Sequence, residues 1–331
     1  MVQKDKEDTI MRIGRHMPTN SKPIKAAIKA QEIGCEAIQI FASNPTAWRP
    51  PADDPQLCAE FAAAARICQL DPVVLHAPYL INLASDDAAN REKSIALLTW
   101  TLQRGALLGA RFVVFHTGSH RGAGVEAGIT HIVQGIERIL PQTPEEVMLL
   151  LENDVGAKNS LGHSFADLAS ILEQLPHYRE RLGICLDTAH LWGAGYDISS
   201  AASTLQVLAE GEQTFGLENV KVIHLNDTEK ALGSHRDVHA RLGDGLIRAE
   251  GLQTLLQDPR LEHVAVLMET PIKLDELEKE DWENDSQQIA QAKELAGRLP
   301  MKSHVNIMVS VTDHGAVAAP GDETTIIPDV G

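Results

Sequence analysis

The chain has 331 residues, 44% of them hydrophobic and 23% charged, which excludes a stapled miniprotein or a disordered polymer and fits one large α/β domain or two ordinary ones. With 29 Lys and Arg against 46 Asp and Glu, the net charge of −17 argues against nucleic-acid binding by bulk charge, although not against a local cationic site. No apolar run reaches the length of about 18 residues that a membrane span needs, and the charged start Met1 to Asp8 does not read as a secretory segment.

Residues 1–10 read as a disordered lead. From residue 11 to 299 short apolar runs alternate with helical patterns, and 300–331 read as a C-terminal extension with one edge strand over 305–311. The expected strands are 11–17, 37–43, 73–76, 112–116, 147–153, 182–188, 220–226 and 264–270. Each is nearly continuous in hydrophobic residues, as parallel strands covered on both faces are. Between them, Ser21 is expected to cap a helix opened by Pro23 and stopped at Gly34. Further helices are expected over 56–70, 86–108, 124–140, 165–175 with Ser164 as its cap, 199–215, 252–257 and 282–299. Eight strands alternating with helices predict an α/β fold, a (β/α)8 TIM barrel, with 11–299 as its catalytic domain. A doubly wound sheet is the alternative, but no GxGxxG follows the first strand. The acid-rich stretch 275–285 reads as a solvated lead into the last helix. Cys35, Cys58, Cys68 and Cys185 lie in apolar stretches without a CxxC, so buried free thiols in a reducing cytoplasm are expected.

Function is signalled by where the polar residues fall. Six consecutive strands end in an ionisable side chain: His76, His116, Glu152, Asp187 (with His190 just after), His224 and Glu269. In a barrel those ends converge on the face that carries chemistry. A lone His at a strand end is more often a satisfied rim or core residue. A carboxylate in an apolar strand is costly unless paired, and carboxylates gathered without cations would repel. Asp237 and His239, two apart in a loop, face one side of an extended segment and can grip one ion, with His190 as a third ligand. Five imidazoles and four carboxylates with no thiolate suit Zn2+, Mn2+ or Fe2+. Nine ligands exceed the needs of one ion and suit three. Metal pairs roughly 3.5–4 Å apart serve phosphoester hydrolysis.

The segments His76-Ala77-Pro78-Tyr79-Leu80, Phe115-His116-Thr117-Gly118-Ser119-His120, Leu151-Glu152-Asn153, Asp187-Thr188-Ala189-His190, His224-Leu225-Asn226-Asp227, Asp237-Val238-His239 and Met268-Glu269-Thr270 resemble the endonuclease IV family, metal-dependent apurinic/apyrimidinic DNA endonucleases built on a barrel. The resemblance runs from about residue 11 to 299 and matches all nine family ligands in order. It implies three zinc ions, with Mn2+ or Fe2+ possible in part. One is held by His76, His116 and Glu152, one by Glu152, Asp187, His224 and Glu269, and one by His190, Asp237 and His239. It implies Glu152 and Glu269 as catalytic residues, cleavage 5′ to abasic sites, and cleaning of blocked 3′ ends. Damaged double-stranded DNA is the implied partner, met by Tyr79 and Leu80 as a wedge and by Trp48, Arg49 and Arg236. Arg15, Lys22, Arg121, Lys158, Lys230, Arg241 and Lys273 are further expected rim cations. A cytoplasmic monomer is expected. The sequence departs from the family at Gly14-Arg15-His16-Met17-Pro18, at Asn44-Pro45-Thr46-Ala47-Trp48, and at Val238, which stands where the family carries arginine.

The main rival is a single-metal sugar isomerase or epimerase on a xylose-isomerase-like barrel, which Glu152, Asp187, His224 and Glu269 alone would satisfy. The other five ligands decide against it, since one ion has no use for them. A non-catalytic damage-binding module has no need of a hydrolytic cluster.

Overall fold

The computed structural model describes residues 11–19, 22–52, 54–272, 274 and 281–298. Its strands are β1 Arg12–His16, β2 Ala37–Phe41, β3 Val73–His76, β4 Phe112–His116, β5 Met148–Glu152, β6 Leu182–Asp187, β7 Val220–His224 and β8 Ala265–Met268. Each pairs in parallel with its sequence neighbour, and β1 pairs with β8, so the sheet closes into a barrel without an edge. The helices are α1 Pro23–Glu32, α2 Pro55–Ile67, α3 Ala88–Leu107, α4 Val125–Ile139, α5 Phe165–Glu173, α6 Thr188–Ala194, α7 Ala201–Thr214, α8 Ala249–Leu256 and α9 Trp282–Leu295. This is the TIM barrel expected from the alternation. All eight strands are present, with ends shifted by two residues at most.

Capping explains most helix starts. Asp54, Asp87, Ser164 and Asp281 each accept a backbone N–H from the first turn that follows. At α7 the cap is Ser200, in a reciprocal pair with Ser203. Lys22 occupies the cap position of α1 without a side-chain bond, and Pro23 begins the helix. The Ser21 cap, the 1–10 lead, the 300–331 extension and the expected strand over 305–311 lie outside the described residues.

The strand pattern sets which side chains enter the barrel. Its interior plug is small and apolar: Ala37, Val74, Val114, Leu150, Cys185, Val222 and Leu267 are all buried there. Two residues further along each strand stand Gln39, His76, His116, Glu152, Asp187, His224 and Glu269. Alternation puts residues two apart on one face, so these seven polar side chains form the layer above the plug. The opposite faces pack against the helices in the larger hydrophobic core.

Three expectations need correction. The stretch after β6 is not more strand but a short helix, α6. Asp187 ends β6 and accepts the His190 backbone N–H at 2.8 Å as the α6 cap, and Gly195 closes the helix at φ 105°. Arg15 is not a rim cation. It is 1% exposed and ion-paired with Asp285, while its Nη2 donates to the Thr270 carbonyl at 3.2 Å. Asp285, assigned to a solvated acidic lead, is therefore fully buried on α9; residues 275–280 of that stretch are outside the described residues.

Candidate metal centre

Glu152 sits at the centre of the barrel mouth with no exposed surface. Its Oε2 lies 3.1 Å from His76 Nε2 and 3.6 Å from His116 Nε2. Its Oε1 lies 2.8 Å from His224 Nδ1 and 3.7 Å from His190 Nδ1. One carboxylate thus faces four imidazoles from four barrel elements. Burial alone would raise its pKa. The facing His116 and His224, with hydrogen bonds from His224 and His76, override burial and hold the carboxyl well below the usual range.

Three groups of imidazole and carboxylate ligand atoms converge, each within 4.8 Å of one another: His76, His116 and Glu152; Glu152, Asp187, His224 and Glu269; and Asp187, His190 and His239; a fourth joins Cys185 to Glu152 and His224. Asp237 joins the last group, its Oδ1 being 3.2 Å from both His190 Nε2 and His239 Nε2. All nine candidate ligands are therefore gathered in one cage, and the extended segment turns Asp237 and His239 to the same side.

Most of the rings are fixed from behind. His76 Nδ1 donates to the Ala77 carbonyl at 2.8 Å, His190 Nδ1 to the Asn153 carbonyl at 2.8 Å and His239 Nδ1 to the Glu269 carbonyl at 3.4 Å. Each leaves Nε2 pointing into the cage, the arrangement that selects the tautomer of a metal-binding histidine. The inward Nε2 atoms of His190 and His239 are buried and have no hydrogen-bond partner among the described residues, although Asp237 is close. Buried polar atoms are normally satisfied. Two orphaned ring nitrogens and a carboxylate converging on one point fit a shared divalent cation, and the N and O donor set fits zinc.

The carboxylates are also held. Asn226 Nδ2 donates to Asp187 Oδ2 at 2.6 Å, and Asn226 Oδ1 accepts the Glu269 backbone N–H at 2.9 Å. Asn153 Oδ1 accepts the Asp187 backbone N–H at 2.6 Å. Burial opposes the charged forms of Glu269 and Asp237, but neighbouring histidines outweigh it and hold both below the usual carboxylate range. Burial likewise opposes protonation of His239. The Asp187 charge and the Asp237 contact overcome it and push the ring up to about 9.

The sequence alone assigns no role to four polar residues here. Gln39, His16, Asn153 and Asn226 contact the cage residues without being ionisable carboxylates or obvious ligands. The signal for Gln39 was available, since a lone amide interrupts the apolar run Ala-Ile-Gln-Ile-Phe. Cys185 was classed only as a buried thiol. It lies one layer down, within 4.8 Å of Glu152 and His224 ligand atoms, and burial raises its pKa to about 12 despite His224.

The residues expected to meet DNA are spread over the mouth. Tyr79 is 57% exposed, with its ring centre 5.5 Å from His76 and 6.0 Å from His116. Leu80 beside it is half-buried. Arg49 and Arg236 are exposed. Trp48 is half-buried against the core, with Lys93 Nζ 5.9 Å from its ring centre. Among the other expected cations, Lys22, Arg121 and Lys158 are exposed, Arg241 pairs with Asp244 at 3.1 Å, and Lys273 lies outside the described residues. A cleft of about 990 Å³ opens beside the cage, lined among others by His16, Arg49, Tyr79, His239 and Glu269. Among the described residues no helix is long and apolar enough to cross a membrane.

A family model described as a xylose isomerase-like TIM barrel matches residues 28–292. A protein of Natranaerobius thermophilus named probable endonuclease 4 is 43% identical over 261 residues, covering 79% of this chain and 92% of its own. The crystal structure of endonuclease IV from Thermus thermophilus superposes with a TM-score of 0.74 at 34% identity, over 86% of this chain and 99% of that one. A D-tagatose 3-epimerase-like protein shares the fold at 17% identity and a TM-score of 0.64, over 87% of this chain and 98% of its own.

Proposed function

The chain belongs to the endonuclease IV family, and from that premise we propose that it hydrolyses the phosphodiester 5′ to abasic sites in double-stranded DNA, leaving a 3′-hydroxyl and a 5′-deoxyribose phosphate. Removal of blocked 3′ groups belongs to the same reading, since it presents the same phosphodiester chemistry at a strand end. The protein acts as a cytoplasmic monomer in this reading.

The observation that carries the proposal is the surplus of ligands around Glu152. A single-ion sugar epimerase would use Glu152, Asp187, His224 and Glu269, and would leave His76, His116, His190, Asp237 and His239 buried or clustered without a task. Three zinc ions account for all nine, with manganese or iron able to occupy some of the positions. His76, His116 and Glu152 would hold the first. Glu152, Asp187, His224 and Glu269 would hold the second. His190, Asp237 and His239 would hold the third. Bound there, divalent cations supply acidity toward water and neutralise phosphate oxygens.

The protein's own groups do the rest. Glu152 belongs to two ligand sets and so fixes their spacing. Glu269 is 14% exposed at the cleft, where its carboxylate would meet an approaching water. Tyr79 and Leu80 would wedge against a distorted duplex, a device by which apolar side chains kink DNA. Arg49, Trp48 and Arg236 flank the strand, the arginines through phosphates.

The test is incision of a duplex containing one abasic site, with and without chelator, followed by identification of both ends. A 3′-hydroxyl and a 5′-deoxyribose phosphate formed only by metal-replete protein are expected. Metal-replete protein that leaves the duplex uncut while epimerising a ketose would establish the sugar reading instead.

A further inference from the structure

Gln39 is a fully buried neutral residue in the polar layer of the barrel, and the ligand sets above do not include it. Its carboxamide touches two cage residues at once. His224 Nε2 lies 2.9 Å from Gln39 Oε1. Gln39 Nε2 donates to Glu269 Oε1 at 2.6 Å and reaches His16 Nδ1 at 3.0 Å. We propose that Gln39 is a positioning residue that presets His224 and Glu269 as ligands of the second ion, and thereby sets the affinity of that ion selectively. The inference rests on the metal-cage reading above and goes beyond it to a residue that binds no metal itself.

The amide can sit only one way round. Reversing it would press its oxygen onto the Glu269 carboxylate at 2.6 Å, oxygen against oxygen, and would set its NH2 group against His224. In the orientation present, an amide oxygen can only accept, so His224 Nε2 carries the proton. Nδ1 is then the ring atom left to face the cage, 2.8 Å from Glu152 Oε1 and 3.4 Å from Glu269 Oε2. On the other side, the bond to Oε1 of Glu269 leaves Oε2 free to face the cage. One side chain therefore fixes the tautomer of one ligand and the rotation of another.

The contrast with the other rings makes the residue decisive. His76, His190 and His239 are oriented through Nδ1 by backbone carbonyls, which no substitution removes. His224 is oriented through Nε2 by a side chain. Loss of that side chain should loosen the second ion and spare the third, whose ligands His190, Asp237 and His239 do not touch Gln39. Loss of such an outer partner weakens metal affinity by about 10- to 100-fold.

The experiment compares the full chain with Gln39→Met, which keeps the volume and removes both hydrogen bonds, and with Gln39→Glu, which can still accept from His224 but cannot donate to Glu269. Zinc content is measured by elemental analysis after equilibration in a graded chelator series, with circular dichroism as the check on folding. In folded Gln39→Met one class of zinc should be released at about 10- to 100-fold lower chelator strength than in the parent, while the remaining zinc is retained as in the parent. Gln39→Glu should show the same selective weakening, so it decides the matter if Gln39→Met does not fold. Zinc release indistinguishable from the parent, or equal weakening of every ion, overturns the proposal. A parent that binds only one ion would refute the three-ion reading separately, and the ratio of its affinity to that of the variants would still decide the role of Gln39.

Discussion

Replacing Glu152 by glutamine gives the sharpest test of the cage. The substitution keeps shape and removes one negative charge from a site with no exposed surface, faced by His76, His116, His190 and His224 at 2.8 to 3.7 Å. Removing one member of a buried charge pair costs about 3–5 kcal/mol, because its partners stay buried and uncompensated. At about 1.4 kcal/mol per tenfold, that is two to four orders of magnitude in ion occupancy or rate. Glu152 belongs to two ligand sets, so the loss falls on two ions at once. The assay is single-turnover incision of an abasic duplex at saturating enzyme, with zinc counted in the same preparation. We expect incision to fall by at least about a hundredfold and about two ions to be lost, with the barrel's circular dichroism retained. Incision within tenfold of the parent at full zinc content would show that Glu152 is a structural carboxylate and that the ligand assignment is wrong.

Asp187→Ala and Asp187→Asn should both lose zinc, but only the alanine should also destabilise α6, by about 1 kcal/mol, since asparagine caps a helix as aspartate does; equal melting temperatures would remove the capping role. Apparent zinc affinity should strengthen with rising pH and level off above about 9, because the metal-free His239 is protonated below its raised pKa and a cation must displace that proton. The same sign means that whatever stability the charged ring lends the metal-free fold is present below the unfolded value of 6.5 and is lost as pH rises through about 9; chelator competition that is flat between pH 6 and 8 would contradict the affinity statement. Arg15→Met should strand the buried Asp285 carboxylate and cost about 3–5 kcal/mol, a fall of roughly 10 °C in melting temperature, with zinc content unchanged in the folded protein. Weakened DNA binding at unaltered stability would return Arg15 to the phosphate-contacting rim.

The barrel was legible because its strands are covered on both faces, which writes them as short continuous apolar runs between helical patterns. The candidate ligands were legible for the complementary reason. A carboxylate or imidazole that ends such a run, as Glu152 does after Leu149, Leu150 and Leu151, is conspicuous against its apolar neighbours. What was hidden depends on partners far along the chain or on doubled roles. Arg15 lies inside the expected first strand, but the carboxylate that claims it arrives only with α9, far along the chain. The α6 helix was hidden because Asp187 serves both as strand terminus and as cap, and the apolar run continues across the join. Gln39 was passed over because a neutral amide carries no charge to flag its burial.

The acidic composition and a DNA substrate are compatible once the charges are placed. Of the carboxylates, Glu152 and Asp187 are sealed at the barrel mouth and Asp285 is spent on Arg15, so none of the three presents its charge to a duplex. Arg49, Arg121, Lys158 and Arg236 are exposed, and they come from four different loops that follow β2, β4, β5 and β7. Those loops lie at the same end of the barrel as the cage. Three divalent ions would bring six positive charges against the four carboxylates of their ligand set. With such ions bound, the ligand set itself would carry a net positive charge inside an acidic chain, and a small number of well-placed contacts could replace a basic surface. On the proposed reading such a protein would bind undamaged DNA weakly by charge alone, and discrimination would fall to a wedge at Tyr79 and to the fit of an exposed phosphodiester against the cage.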